Sequence, residues 1–141
     1  MDPKAVGLLT KERVCVLAVS LADGSPHAAE MHYSEQIAPV KLFIQTYPTV
    51  KVRALEERGG AGKAAVVLNL AESEMKSLQM RGEVRIVTAE DELQRIYSVH
   101  YKKHPTAEKY KDSETVFLEF TPTWWRYSDF TTDPETVIES A

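Results

Sequence analysis

The chain has 141 residues, of which 43% are hydrophobic and 27% are charged, so its composition is that of an ordinary globular protein. Its 17 Lys and Arg against 21 Asp and Glu give a net charge of -4, without the basic excess that is typical of nucleic-acid-binding proteins. No apolar run approaches the roughly 20 residues that span a bilayer, and the single cysteine, Cys15, cannot form an internal disulfide. We therefore expect one domain over residues 1–141, located in the cytoplasm, with no nucleic-acid or membrane partner.

Three strands are predicted in the first third of the chain. Arg13–Leu21 is rich in Val and Leu and lacks the polar stripe of a helix, which is typical of a buried strand. Asp23-Gly24 lies between two apolar runs and predicts a hairpin turn, because both residue types tolerate a positive φ. Pro26–Ser34 is then the returning strand, and the alternation of Val40–Thr46 predicts a third strand.

A short helix and two more strands are predicted next. Thr49 can cap the helix at its start, and Gly59-Gly60 ends it. The apolar run Lys63–Leu70 predicts a fourth strand, and Met75–Thr88 predicts a long fifth strand. Gly82, inside the fifth strand, indicates a bend or bulge of the kind that barrels use at corners.

The last part of the chain contains the main helix and the final strand. Apolar residues recur at helical spacing over Glu90–His104, and Pro105 ends that helix. Thr115–Phe130 predicts one bent strand or a strand pair, with a break at Pro122. Six or more short strands with only two helices favour a mainly β (α+β) antiparallel barrel with appended helices over a parallel α/β sheet.

Two histidines, His100 and His104, are four residues apart on the main helix and therefore lie on one face. That spacing can bind zinc. The two positions continue an apolar stripe, however, which favours packing or a polar edge. We predict no metal site.

Three segments carry a combined signal: the opening hairpin LAVSLADGSPHAAEMHY, the strand, turn and helix LFIQTYPTVKVRALEER, and the long strand QMRGEVRIV. In this order and spacing they resemble the pyridoxamine 5′-phosphate oxidase-like family of FMN-binding split β-barrels, in its short, general-stress type. The resemblance covers residues 13–130. It implies a six- to seven-stranded antiparallel split β-barrel with two or three helices, and a homodimer with two FMN molecules at its interface.

The turn after the third strand is the predicted phosphate site. A helix N-terminus favours anions, because its amides are unpaired and carry partial positive charge. Thr49 places a hydroxyl there and Lys51 a mobile cation, and the resemblance implies that these two residues hold the FMN phosphate. Either Gln45 or Thr46 corresponds to the family's threonine at the strand end. The alternative is that Thr49 is only a cap and Lys51 only a solvated residue of the first helical turn.

The resemblance also implies contacts to the flavin ring. The backbone of Glu30, Met31 and His32 would run along the ring edge, although alternate residues of that strand can equally face the barrel core. Gln79 would reach the flavin, or remain an exposed strand amide. Two tryptophans stand side by side at Trp124-Trp125. Neighbouring residues of a strand point to opposite faces, so one side chain can be buried while the other faces outward. One of the two, with Trp124 as the candidate, would then cover the ring of a partner's flavin, and the alternative is that both serve barrel-end packing and the dimer interface.

The leading functional hypothesis is a flavin-dependent oxidoreductase with an unknown small-molecule substrate. The cofactor carries the redox chemistry in such proteins, and we name no catalytic side chain. We do not expect true pyridoxamine phosphate oxidase activity, because no basic residue follows Arg126 to hold a substrate phosphate. The alternatives are a non-enzymatic flavin-binding or redox-sensing module, or the same barrel binding deazaflavin or haem.

Overall fold

The computed structural model describes residues 1–68 and 72–141. Those residues form eight strands, three α-helices and two 3₁₀ helices. In chain order the elements are α1 (Pro3–Lys11), β1 (Val14–Ser20), β2 (Pro26–His32), β3 (Ser34–Ile37), β4 (Val40–Thr46), α2 (Val50–Glu56), β5 (Ala61–Leu68), the 3₁₀ helix Glu72–Glu74, β6 (Lys76–Val87), α3 (Glu90–Lys103), the 3₁₀ helix Pro105–Tyr110, β7 (Val116–Asp129) and β8 (Thr136–Glu139).

All strands pair antiparallel in one curled sheet with the order β2-β1-β5-β6-β7-β4-β3. The long strand β7 pairs with β4 through its first half and with β8 through its second half. β2 and β3 follow each other in the chain but lie at opposite ends of the sheet. The predicted mainly β antiparallel split barrel is therefore confirmed, and the short strands β3 and β8 bring the strand count in the described ranges to eight.

Several local predictions are confirmed. The hairpin turns at Gly24, whose φ is 86°, and Leu21 N–H donates to the Ser25 carbonyl at 2.8 Å across it. The pairing of β6 with β7 shifts register at Gly82. A Cβ on Gly82 would lie 2.0 Å from the carbonyl oxygen of Thr121, so the two strands approach too closely there for any side chain.

Other elements differ from the prediction. α1 was not predicted, although Asp2 caps it by accepting from Lys4 N–H at 2.8 Å. β3 and β8 were not predicted as strands of their own, because each is only four residues long. Met75 lies outside β6 with a φ of 54°. Asn69 and Leu70, predicted as the end of the fourth strand, lie outside the described residues.

The core fills the inside of the curled sheet. Alternate residues of β1, β5 and β6 point into it, as the period of two requires, and α1 and α2 pack against it. A second, smaller cluster lies between α3 and the sheet and contains Phe43, Val87, Ile96 and Phe117. Cys15 is fully buried in the main core, and burial raises the pKa of its thiol to about 12, so it is a small apolar core residue.

Candidate functional site

The two ends of the sheet leave a cavity between β2 and β4. Among the described residues, β2 pairs only with β1, so one of its edges is free. The cavity has a volume of about 390 Å³. Its lining comes from β2, the end of β4, α3 and the 3₁₀ helix Pro105–Tyr110, with Arg13 beside them. We call it the split cavity.

Five of the nine predicted site residues line the split cavity: Glu30, Met31, His32, Gln45 and Thr46. The first three stand on β2 and the other two at the end of β4, so they face each other across the gap. The structure therefore brings together two predicted groups that are 13 or more residues apart in the chain.

The backbone of β2 offers free hydrogen-bonding groups on the side of the split. Tyr33 N–H donates to the Arg13 carbonyl at 3.0 Å. In an antiparallel pair, residues that bond to the neighbouring strand alternate with residues that do not. Glu30 and His32 therefore direct their backbone N–H and C=O groups away from β1. These groups can bind the polar edge of a ligand without any particular side chain.

Thr49 and Lys51 do not line the split cavity but follow its β4 wall in the chain, at the start of α2. Thr49 N–H donates to the Tyr47 carbonyl at 2.7 Å, and Thr49 precedes α2 as its N-cap residue. Its hydroxyl makes no capping bond and is buried without a partner. Lys51 is not the mobile cation that the sequence predicted: it is only 5% exposed, and burial lowers the pKa of its ammonium group.

Lys51 has no ion pair with the residues that the structure describes. Buried cations are normally paired, since removing a charge from water is costly. At the end of β4 the carboxamide oxygen of Gln45 is also buried without a donor, while the Gln45 amide donates to the Ala107 carbonyl at 3.3 Å. An anion at the turn would accept from the Thr49 hydroxyl and offset the charge of Lys51, so these two residues fit a bound phosphate ester.

Gln79 and Trp124 lie elsewhere. They line a separate cavity of about 430 Å³ on the outer face of the sheet, over β1, β5, β6 and β7. The Arg81 guanidinium stacks 4.1 Å from the centre of the Trp124 ring there. Trp125 points the other way and packs against the core. Within one chain, the nine predicted residues do not share a single site.

Two buried histidines, which the sequence predicts to serve packing or a polar edge, also line the split cavity. His100 Nδ1 lies 2.8 Å from the Ser34 hydroxyl, and His104 Nε2 lies 2.6 Å from the Tyr33 carbonyl oxygen. Burial lowers the pKa of His100 to about 4, helped by the neighbouring His104, so its imidazole is neutral near pH 7. In residues 1–68 and 72–141, no three His, Cys, Asp or Glu side chains are placed to hold a metal ion.

Sequence reasoning missed several other cavity residues. Arg13, Tyr47 and Tyr110 all line the split cavity, and the Tyr47 hydroxyl donates to the Tyr110 carbonyl. Nothing in the local pattern marks them. Tyr47 and Tyr110 come together because the 3₁₀ helix after α3 lies against the end of β4, and Arg13 joins them through its contacts with Lys103 and His104.

A family model described as pyridoxamine 5′-phosphate oxidase matches residues 1–129. The chain belongs to the pyridoxamine 5′-phosphate oxidase family. The match includes both walls of the split cavity, the turn that carries Lys51, and the whole of β7, whereas β8 lies beyond it. No curated protein sequence gives a significant match to the chain.

Solved structures from the pyridoxamine 5′-phosphate oxidase family and similar proteins share the fold. A conserved hypothetical protein of Mycobacterium tuberculosis is 17% identical with a TM-score of 0.72, over 92% of this chain and 85% of its own. A protein of Clostridium acetobutylicum related to general stress protein 26 is 13% identical with a TM-score of 0.71, over 96% and 92%. A heme binding protein of Mycobacterium smegmatis is 17% identical with a TM-score of 0.74, over 100% and 59%.

None of the helices described here is long and apolar enough to cross a bilayer.

Proposed function

We propose that this chain binds FMN in the split cavity and acts as a flavin-dependent oxidoreductase on a small molecule, in the cytoplasm. The observation that carries the proposal is the turn at Thr49 and Lys51. Lys51 is only 5% exposed and has no ion-pair partner among the described residues, and the Thr49 hydroxyl is buried without a hydrogen-bond partner. A phosphate ester supplies the missing negative charge and accepts from both groups. Family membership supports a flavin as the molecule that carries this phosphate.

The walls of the cavity and the turn that follows its β4 wall each have their own part in holding the flavin. Lys51 and Thr49 bind the phosphate, and the free backbone groups of Glu30 and His32 orient the polar edge of the ring. Gln45 accepts a hydrogen bond through its unpartnered carboxamide oxygen. FMN, when bound, supplies the redox chemistry by taking up and passing on electrons. We propose no catalytic side chain, because redox chemistry at the ring requires none from the residues that line the cavity.

A homodimer is part of the proposal. Gln79 and Trp124 lie on the outer face of the sheet and not in the split cavity of their own chain. They can contact a flavin only if it is bound by a second copy. The small side chains around them, Ala18 and Ala65, permit the close approach of such a copy.

Paired titrations with FMN and riboflavin test the phosphate assignment. Lys51→Met keeps the apolar stem of the side chain and removes its charge, so the variant retains the packing of α2. We expect FMN to bind about 10- to 100-fold more weakly to Lys51→Met, because a charge-assisted hydrogen bond is lost, and riboflavin to bind as it does to the wild type. Lys4→Ala, at an exposed lysine of α1, is the matched control and should bind both ligands normally.

The visible spectrum of the purified protein decides among cofactors. Flavin bands, or their appearance on adding FMN, support the proposal, and consumption of NADH or NADPH by the loaded protein then separates an enzyme from a carrier. Deazaflavin absorption, or a Soret band as expected for the similar heme binding protein, would replace FMN by another occupant. A protein that takes up neither FMN nor deazaflavin refutes the proposed function.

A further inference from the structure

The chain crosses from one edge of the sheet to the other at Tyr33 and Ser34, which we call the corner. Tyr33 joins β2 to β3, Ser34 is the first residue of β3, and both are fully buried. The Tyr33 hydroxyl donates to the Leu9 carbonyl at 2.6 Å, which ties the corner to α1. Tyr33 also marks the end of the pairing between β2 and β1, since its N–H makes the last bond to Arg13.

The two histidines at the end of α3 each hold one corner residue. His104 bonds to the Tyr33 carbonyl at 2.6 Å, and His100 bonds to the Ser34 hydroxyl at 2.8 Å. The spacing of four residues therefore matches two consecutive residues of the corner. The same His104 ring lines the split cavity.

Arg13 fixes the protonation of the His104 ring. Its Nη2 lies 3.1 Å from His104 Nδ1, and its Nη1 donates to the Lys103 carbonyl at 3.2 Å. A guanidinium group has only N–H donors, so His104 Nδ1 must be the acceptor. The proton of the neutral ring is then on Nε2, where it is donated to the Tyr33 carbonyl. A second proton on Nδ1 would face the Arg13 N–H groups and break this contact.

The contact to Tyr33 matters for the cavity because β2 has few other restraints on the side of the split. β4 is held on both sides, by β7 and β3, whereas β2 is held by β1 alone among the described residues. The backbone of Glu30 and His32 lies one to three residues before Tyr33. The position of this wall therefore depends on how the corner is held.

We propose that His104, locked by Arg13 in its neutral Nε2–H form, is a positioning residue that holds the β2 wall in the geometry that binds the cofactor, and that its protonation weakens cofactor binding. This inference rests on the proposed function, since FMN is the probe.

The charges around His104 favour the neutral ring. Burial lowers the pKa of His104, the Tyr33 carbonyl opposes that shift, and the positive charges of Arg13, His32 and Lys103 lower the pKa further. His32 on β2 touches the ring edge to face at 5.4 Å between ring centres, and His100 on α3 lies 5.0 Å away. Glu35 on β3 pairs with Lys103 and, in the part of the chain that the structure describes, is the one carboxylate that bonds to these groups. Affinity should accordingly be full at neutral pH and fall as the pH falls below the ordinary histidine range.

The test compares FMN dissociation constants at about pH 7.5 and about pH 5, measured by equilibrium dialysis, for matched histidine variants. His104→Gln keeps a donor for Tyr33 and an acceptor for Arg13 but cannot titrate. We expect it to bind FMN within about threefold of the wild type at neutral pH and to lose much less affinity at acid pH. His104→Leu removes the hydrogen bond and should bind about tenfold more weakly at both pH values. His27→Gln, at a histidine of β2 that does not line the split cavity, should keep the wild-type profile.

Two results overturn the inference while leaving the proposed function intact. One is a His104→Gln profile as steep as that of the wild type, and the other is flattening by His32→Gln alone. If the wild type binds no FMN at either pH, the proposed function fails and this inference fails with it. Because His104→Gln keeps a donor for the Tyr33 carbonyl, the comparison does not depend on whether His104→Leu folds.

Discussion

His100 should make this protein less stable in acid. The ring is 1% exposed and packs edge to face against Phe117, with centres 5.3 Å apart. Its pKa is about 4 in the folded protein, whereas a histidine in an unfolded chain titrates near 6.5. Between these values the unfolded chain binds a proton that the folded protein does not. The stability that His100 contributes is therefore fully present above about pH 6.5 and is lost as the pH falls toward 4.

The size of the effect follows from the two pKa values. Each pH unit between them costs at most about 1.4 kcal/mol, so the whole interval corresponds to about 3 kcal/mol. From about pH 7.5 to about pH 5 the loss is about 2 kcal/mol, because titration of the unfolded chain only begins near the upper value.

Urea unfolding of the wild type and of His100→Asn at the two pH values measures this difference. Asparagine keeps a polar atom near Nδ1 for the Ser34 hydroxyl but does not titrate. The variant loses packing at every pH, so the relevant quantity is the change in free energy of unfolding between the two pH values. We expect that change to be about 2 kcal/mol smaller in the variant than in the wild type. An equal change in both proteins, within about 0.5 kcal/mol, would show that His100 titrates normally in the folded protein and refute the reasoning.

Three further predictions concern the frame around the site. Gly82→Ala should lower the free energy of unfolding by about 3 kcal/mol or more, because the added Cβ would lie 2.0 Å from the Thr121 carbonyl oxygen. Gly7→Ala is the control, since Gly7 lies on α1 with open space around it. This variant should leave the free energy of unfolding unchanged or raise it by up to about 1 kcal/mol. Glu119→Gln should lower the free energy of unfolding, measured by chemical denaturation, by about 2 kcal/mol. The buried carboxylate bonds to Lys41 at 2.9 Å and to Arg85 at 3.0 Å, and the variant leaves both cations without it. An unchanged free energy of unfolding would mean that water already satisfies those cations. Cys15 should react with a thiol reagent only after unfolding, since its thiol is fully buried with a pKa of about 12, and rapid labelling of the native protein would contradict its place in the core.

The parts of the fold with local signals could be predicted from the sequence. The hairpin at Gly24 and the bulge at Gly82 are backbone requirements that glycine meets, and both stand where the sequence indicates. α1 was missed because it buries Ala5, Leu8 and Leu9 against the sheet, and a nine-residue helix owes its stability to such packing. β8 was missed because it forms only where β7 has left an open edge beyond its pairing with β4.

The candidate site could be predicted only in part. The cap position of Thr49 and the alternation around Trp124 are local properties, and the structure agrees with both. Whether Lys51 is buried, and in which cavity Gln79 lies, depend on how α2 and the sheet pack, which no spacing encodes. The partners of His100 and His104 are 66 and 71 residues away in the chain, so the histidine spacing indicated one face of a helix but not what that face holds.

The polarity of the split cavity and the role of the histidines have a common physical origin. A sheet that curls but does not close leaves the backbone groups of one edge of β2 without a strand partner. It also leaves the carbonyl of Tyr33, at the buried corner, beyond the last strand pair. Buried carbonyl groups need a hydrogen-bond donor. At the corner no strand neighbour in the described ranges supplies one to Tyr33, and His104 donates to its carbonyl instead. At β2 the unpaired groups face a cavity and remain free for a ligand. The split in the sheet therefore explains both the buried hydrogen bond from His104 to Tyr33 and the free hydrogen-bonding edge of the binding site. For this reason, a change at His104 should alter the affinity for the ligand more than it alters the stability of the core.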